Sequence, residues 1–308
     1  MRVFVTGASG WIGSAVVPEL VAAGHHVTGL ARSDASASAV ATAGAAVLRG
    51  SLADLDVLRD AAATSDAVVH LAFRHDIAFS GGFADAVASD VAAITALGGA
   101  LPSGGALSIA SGALGLAQGG VPATERDRPV AGGLAAGRQA SADTALALAG
   151  RGVRPSVVRL APTNHGEGDG GFVPTLIDVA RDKGVSGYPG DGSARWTAVH
   201  VRDTARLFRL AIEDAPAGSV LHAVADEGVP VREIAESIGR HLEVPVRSVP
   251  EEQAGAHFGF LGAFLGIDSP ASNALTRELT GWAPTEPGLL EDLDKGHYFA
   301  PGAGSKYV

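Results

Sequence analysis

A short apolar run, Val3-Phe4-Val5, leads directly into Thr6-Gly7-Ala8-Ser9-Gly10-Trp11-Ile12-Gly13. Glycine recurs at every third position across a strand–turn–helix pattern, and each one answers a different steric demand. Gly7 permits the tight turn, Gly10 leaves room for a diphosphate to approach backbone N–H groups, and Gly13 lets the helix lie close against the strand. The helix N-terminus then presents its partial positive charge to the anion. Thr6, Ser9, Trp11 and Ile12 complete a loop suited to enclosing a dinucleotide. A phosphate-loop NTPase is excluded, because no Gly-Lys-Ser/Thr closes the loop.

Strand and helix patterns alternate after this junction. Strands are expected over 2–5, 26–31, 45–48, 67–72, 107–110 and 153–160, with helices over 11–23, 35–43, 55–63, 83–97 and 134–149. Pro18 falls inside the first helix and removes one backbone donor; Gly24 ends it. The strands are rich in Val, Leu and Ala without polar alternation, as in a sheet buried on both faces. Repeated right-handed crossovers then give an α/β fold, a Rossmann-type doubly wound parallel sheet. Beyond Leu160 loops lengthen and elements shorten: helices over 172–183, 201–214 and 231–242, strands over 195–200 and 219–224, short helices near 250–258, 270–278 and 287–294, and a loose tail over 302–308. Residues 1–160 read as a dinucleotide-binding domain, and 161–308 mainly as a smaller, irregular substrate lobe with segments returning to the first.

Composition narrows the function. The chain has 308 residues, 46% of them hydrophobic and 18% charged, in the range of a globular protein with a large core. It contains no cysteine, so disulfides, thiolate metal sites and cysteine nucleophiles are excluded. The formal net charge of -10 disfavours nucleic acid and anionic membrane as partners. The first strand follows Met1 at once, leaving no room for a signal peptide, and no apolar stretch is expected to span a bilayer. A cytoplasmic enzyme with a small-molecule substrate is the expectation. The histidines show no metal spacing and no His-Glu-x-x-His, so no metal site is expected; without Gly-x-Ser-x-Gly, a serine hydrolase is not indicated either.

The second strand ends in Leu30-Ala31-Arg32-Ser33, with no acid at its tip to bind a ribose 2′-hydroxyl. Arg32 can neutralise a 2′-phosphate and Ser33 can donate a hydrogen bond to it, which points to NADP (NADPH). Asp34 is an unfavourable neighbour for that phosphate. Leu71-Ala72-Phe73, at the end of the fourth strand, is expected to line the far side of the cofactor.

These stretches resemble the short-chain dehydrogenase/reductase superfamily, and within it the extended NAD(P)-dependent epimerase/dehydratases. Val69-His70-Leu71-Ala72, Ser108-Ile109-Ala110-Ser111-Gly112, Val158-Arg159-Leu160-Ala161-Pro162 and Ala198-Val199-His200-Val201-Arg202-Asp203 carry the likeness beside the glycine loop. The resemblance implies dinucleotide binding at Gly7, Gly10 and Gly13 and a catalytic hydroxyl at Ser111. It also implies a two-fold interface through the helices at 83–97 and 134–149, hence a possible homodimer. The chain departs from the pattern at the acid/base pair. In Gly137-Arg138-Gln139-Ala140-Ser141-Ala142-Asp143, Arg138 stands in the place of the family's tyrosine and Ala142 in the place of its lysine. The tyrosines are Tyr188, Tyr298 and Tyr307, none of them nearby in sequence, and Asp90 replaces the family's asparagine. The pattern resembles an atypical subgroup with the glycine loop retained and the catalytic tetrad degraded.

Carbonyl reduction then needs another proton donor. His75-Asp76 follows the fourth strand, and the aspartate can set the histidine's protonation. Asp90 can bind a water or orient His75. His165 and Glu167, in the loop where the lobes should meet, offer an acid from the second lobe, with His165 the preferred stand-in. Arg138 can hold a substrate anion or the forming alkoxide. His25, His26 and His200 to Asp203 read as structural, and Trp196 as either a lobe-core or a substrate contact. The leading expectation is an NADPH-dependent reductase of a small ketone, aldehyde or related C=X group. The alternatives are a nucleotide-sugar epimerase or dehydratase with retained cofactor and a non-catalytic NADP sensor.

Overall fold

Segments that are apolar on both faces have to be covered on both faces, and the strands assemble accordingly. The computed structural model describes residues 1–78, 80–130, 132, 134–300 and 302–305; Tyr307 and the end of the expected tail lie outside them. The strands are β1 (Arg2–Thr6), β2 (His26–Ala31), β3 (Ala46–Arg49), β4 (Ala67–His70), β5 (Ala106–Gly112), β6 (Arg154–Leu160), β7 (Thr163–His165), β8 (Ser186–Pro189), β9 (Arg195–His200), β10 (Ser219–Ala223), β11 (Asp226–Pro230) and β12 (Val246–Val249). Seven form one parallel sheet in the order β10-β6-β5-β4-β1-β2-β3. The order reverses at β1 and β4, so their carboxyl ends open onto the crevice where such sheets bind ligands.

The main helices are α1 (Trp11–Ala22), α2 (Asp34–Thr42), α3 (Leu55–Ala63), α4 (His75–Ala78), α5 (Phe83–Ala100), α6 (Gln139–Ala147), α7 (Phe172–Lys183), α8 (Val201–Glu213) and α9 (Val231–Leu242). One face of the sheet packs Val3, Val5 and Val69 against Val16, Leu20, Leu207 and Phe208 of α1 and α8. The other packs Phe4, Val68, Leu107 and Ile109 against Leu58, Ile94, Leu97 and Ala145 of α3, α5 and α6. Pro18 lies inside α1 as expected. The helix expected over 134–149 is broken into a 3-10 turn, Leu134–Arg138, then α6, then a second 3-10 turn, Leu148–Arg151. Gly137 in the first turn accommodates the Phe83 ring of α5, 2.4 Å from where a Cβ would sit. By length and composition α5 does qualify as a membrane span, contrary to the expectation above, with 18 residues of mean hydropathy 1.3. Its apolar face instead packs in the core of the sheet.

The smaller lobe is built from two short sheets, β11-β9-β7 and β12-β8, around Trp196, Ile234, Phe258 and Leu293. The strands β7, β8 and β11 were not expected, because Thr-Asn-His, Ser-Gly-Tyr-Pro and Asp-Glu-Gly-Val-Pro carry the polar, Gly and Pro residues of turns; β12 was not expected either. β10 and α8, from the second half of the chain, complete the large sheet and its cover. Buried carboxylates fasten the late segments. Asp203, in the first turn of α8, accepts from the backbone N–H of Thr285 and Glu286, each at 3.1 Å. His165 bonds Asp292 at 3.0 Å and His297 bonds the other oxygen of that carboxylate at 3.2 Å. The Tyr298 hydroxyl accepts from the Gly166 N–H and donates to Asp169, both at 3.0 Å.

Burial of Asp292 acts to raise its pKa, but the hydrogen bonds from His165 and His297 prevail and hold it at about 2, below its ordinary 3.8. Its stabilising contribution is therefore fully present above about pH 4 and is lost as pH falls through about 2; the shift corresponds to about 2 kcal/mol. Urea titrations across this range should show the stability gap between the native protein and Asp292→Asn closing by about that amount as acid is added. A gap that stays constant with pH refutes this assignment.

Candidate active site

At the β1–α1 junction three stretches of backbone meet at near-contact. Gly7 has φ 68°, and a Cβ there would lie 2.8 Å from the Ala72 nitrogen. A Cβ on Gly13 would lie 2.1 Å from the Gly7 carbonyl oxygen. Only glycine allows either approach. Gly10 caps α1 without a side-chain hydrogen bond, and the first turn holds no acid. The opening N–H groups of α1 are thus left for an anion, with the helix dipole behind them. Ser9 and Gly10 are exposed, Ile12 is half-buried and Thr6 is buried beneath the loop. The Trp11 indole donates to the Asn164 carbonyl oxygen at 2.6 Å and ties the loop to the strand β7. This cradle, shaped by the absence of Cβ atoms, fits the diphosphate of a dinucleotide.

At the tip of β2, Arg32 is exposed and makes no hydrogen bond or ion pair among the described residues. Ser33 caps α2: its hydroxyl accepts from the Ser36 N–H at 3.2 Å, while the Ser36 hydroxyl accepts from the Ser33 N–H at 2.9 Å. Asp34, itself fully exposed, is paired with Arg49 at the end of β3. The Arg32 charge helps to hold the Asp76 carboxyl below its ordinary value. Leu71, Ala72 and Phe73 leave the end of β4 half-buried, with Ala72 against the glycine loop.

Beyond them a buried polar chain crosses the sheet. The Thr6 hydroxyl lies 2.7 Å from His70 Nδ1, and His70 Nε2 lies 3.0 Å from Asp90 Oδ1. Arg138 donates to Asp90 Oδ2 at 3.3 Å and to the Ala110 carbonyl oxygen at 2.9 Å. The His70 and Asp90 side chains are 1% and 0% exposed. The guanidinium stacks on the Phe73 ring at 4.0 Å, a cation–π contact. Burial lowers the Arg138 pKa and Asp90 opposes this; an arginine stays cationic under such shifts. His75 stands at the rim, its ring edge-on to Phe73 at 5.1 Å. Partial removal of water, then the Arg138 cation, push its imidazole below the ordinary histidine value.

The structure thus assembles Asp90, Arg138 and His75 at the carboxyl ends of β4 and β5. Ser111 is half-buried in the residue after Ala110. It does not bring His165 to this group. That ring is fully buried and bonded to Asp292 in the smaller lobe, so it cannot reach a substrate as the stand-in acid. Asp76 pairs with Arg74 at 3.1 Å, and its charge, with that of Asp90, favours the protonated form of His75. Asp90 bonds His70 through one oxygen and Arg138 through the other. Ala142 is core. His70 was missed as a functional residue. Its signal was a polar side chain closing an otherwise apolar strand, Ala67-Val68-Val69-His70.

The model of the NAD dependent epimerase/dehydratase family matches residues 3–223. Uncharacterized protein C2A9.02 of Schizosaccharomyces pombe is 44% identical, covering 97% of this chain and 100% of its own. The 4-hydroxy-2-methyl-3-oxo-4-farnesyl-3,4-dihydroquinoline-1-oxide ketoreductase of Stigmatella aurantiaca is 29% identical, covering 84% of this chain and 80% of its own. Among solved structures, the dTDP-glucose 4,6-dehydratase DesIV of Streptomyces venezuelae, with NAD and TYD bound, superposes with a TM-score of 0.77 at 21% identity, covering 97% of both chains. That likeness concerns the fold. With the glycine cradle, the strand order and the matched segment in agreement, the chain belongs to the NAD dependent epimerase/dehydratase family.

Proposed function

We propose that the protein is an NADPH-dependent reductase of a small, largely apolar ketone or aldehyde. One observation carries this reading: Arg138, which the sequence reading puts in the place of the family's tyrosine, holds its guanidinium on the Ala110 carbonyl oxygen, one residue before Ser111. Epimerisation and dehydration ask the tyrosine to take and return protons, and a guanidinium cannot act as that base. It can stabilise negative charge developing on a carbonyl oxygen, which is what reduction requires.

Gly7, Gly10, Gly13 and the first turn of α1 would hold the diphosphate, Arg32 the 2′-phosphate, and Leu71, Ala72 and Phe73 the nicotinamide end. When bound, the reduced nicotinamide supplies a hydride. Ser111 donates a hydrogen bond to the substrate carbonyl, Arg138 stabilises the oxygen as it gains charge, and His75, when protonated, donates the proton at the rim. The Phe172, Phe260 and Phe264 rings support an apolar substrate: Phe172 lies 6.1 Å from each of the other two, and Leu114, just past Ser111, joins the same apolar cluster. The Stigmatella relative is named for a farnesylated ring ketone, which agrees with such a wall.

NADPH oxidation followed over a panel of carbonyl compounds tests the reading. Turnover with apolar ketones and a drop of about 10²-fold or more in kcat for Arg138→Met are expected. Tight NADPH binding without turnover of any carbonyl would overturn it in favour of a nucleotide-binding sensor. In calorimetry, Arg32→Ala should weaken NADPH binding by about tenfold while leaving NADH affinity unchanged; equal losses for both refute the 2′-phosphate assignment. Because the His75 pKa is lowered, its acid form grows only as pH falls below its ordinary range. The native kcat/KM should therefore rise towards acid, and His75→Gln should flatten that rise. An unchanged profile in the variant removes His75 as the donor.

A further inference from the structure

We propose that His70 is a positioning residue for Arg138, and that the Thr6–His70–Asp90–Arg138 chain makes the guanidinium a charge-compensated binder for an uncharged carbonyl oxygen. This rests on the reductase reading and adds to it the residue that holds the oxygen-binding group in place.

The proton inventory of the chain admits one arrangement that satisfies every member. The Ala72 N–H donates to the Thr6 oxygen at 3.3 Å. The single proton of that hydroxyl then goes to His70 Nδ1, 2.7 Å away. An imidazole accepting at Nδ1 carries its proton on Nε2, which meets Asp90 Oδ1 at 3.0 Å. Asp90 Oδ2 is left to Arg138. In this arrangement the one carboxylate stands against the one guanidinium. A ligand that already carries a full negative charge gains little there, because Asp90 stands behind the cation. An oxygen that acquires charge only as it is reduced meets a donor already aligned.

Stability does not require such a chain. Burying an aspartate–arginine pair costs desolvation that an apolar pair would avoid, and Thr6, His70 and Asp90 are each no more than 1% exposed. What the chain does provide is location. With His70 fixed on one oxygen, the carboxylate cannot rotate, and the other oxygen holds Arg138 where it also caps the Ala110 carbonyl, immediately before Ser111. The Arg138 Nε proton has no partner among the described residues, a donor still uncommitted. At its far end the chain starts at Thr6, directly before Gly7, where the bond from the Ala72 N–H does not depend on His70.

The test compares His70→Leu with His70→Gln in the full chain loaded with NADPH, because a glutamine amide can accept from Thr6 and donate to Asp90. His70→Leu should lower kcat for a reducible ketone by about tenfold or more, with KM and NADPH affinity within about twofold, while His70→Gln should recover to within about threefold of the native rate. Should the leucine variant not fold, His70→Asn, too short to bridge both partners, takes its place. A native kcat in the leucine or asparagine variant, or no recovery in a folded glutamine variant, overturns the proposal. The arginine side-chain nitrogen signals of the NADP-loaded protein, assigned by their loss in Arg138→Lys, read the positioning without turnover. Restricted rotation of the Arg138 guanidinium is expected in the native and glutamine proteins and averaging in the leucine variant. Restricted rotation persisting in the leucine variant overturns the positioning role. A native protein that reduces no carbonyl but shows this spectral pattern overturns the reductase reading alone.

Discussion

Three backbones approach at the β1–α1 junction more closely than any side chain would allow, and the remainder of the site follows from that contact. Gly7 lies against Ala72, and Gly13 lies against the Gly7 carbonyl. The first contact places the end of β4 beside the start of α1. The second brings the helix down onto the strand so that its unpaired N–H groups face the crevice. A methyl group at either position would separate the elements that form the two walls of the cofactor cradle.

The same junction organises the charges. Thr6 precedes Gly7, and its hydroxyl begins the line through His70 and Asp90 to Arg138. Buried ions persist only when each finds a partner, and here the pairing is complete on Asp90. Phe73 contributes its ring face to Arg138 and its flank to His75. A different set of groups, with a different capacity for proton transfer, occupies that end of β5, which is why the proposed chemistry is reduction rather than a proton-cycling rearrangement.

The smaller lobe is joined by buried carboxylates. Asp203 accepts from the backbone of 285 and 286, Asp169 receives the Tyr298 hydroxyl, and Asp292 takes His165 and His297. These contacts link loops to segments more than a hundred residues away for His165 and Asp292, a separation no local pattern reveals. His165 looked like a free acid because a glycine-rich loop usually lies in solvent; its partner decides otherwise.

Local chemistry decided much of what the chain became. Glycine spacing, apolar strands buried on both faces and the alternation of periods specify a doubly wound parallel sheet with a nucleotide cradle at its first turn, because each depends on residues close in sequence. The tertiary structure alone decided which polar groups meet. Asp90 turned to Arg138, His70 joined Thr6 to Asp90, Asp34 paired with Arg49, and β10 extended the sheet from the far half of the chain. Such pairings are set by the burial of charge and by the register between strands, and both exist only once distant segments have packed together.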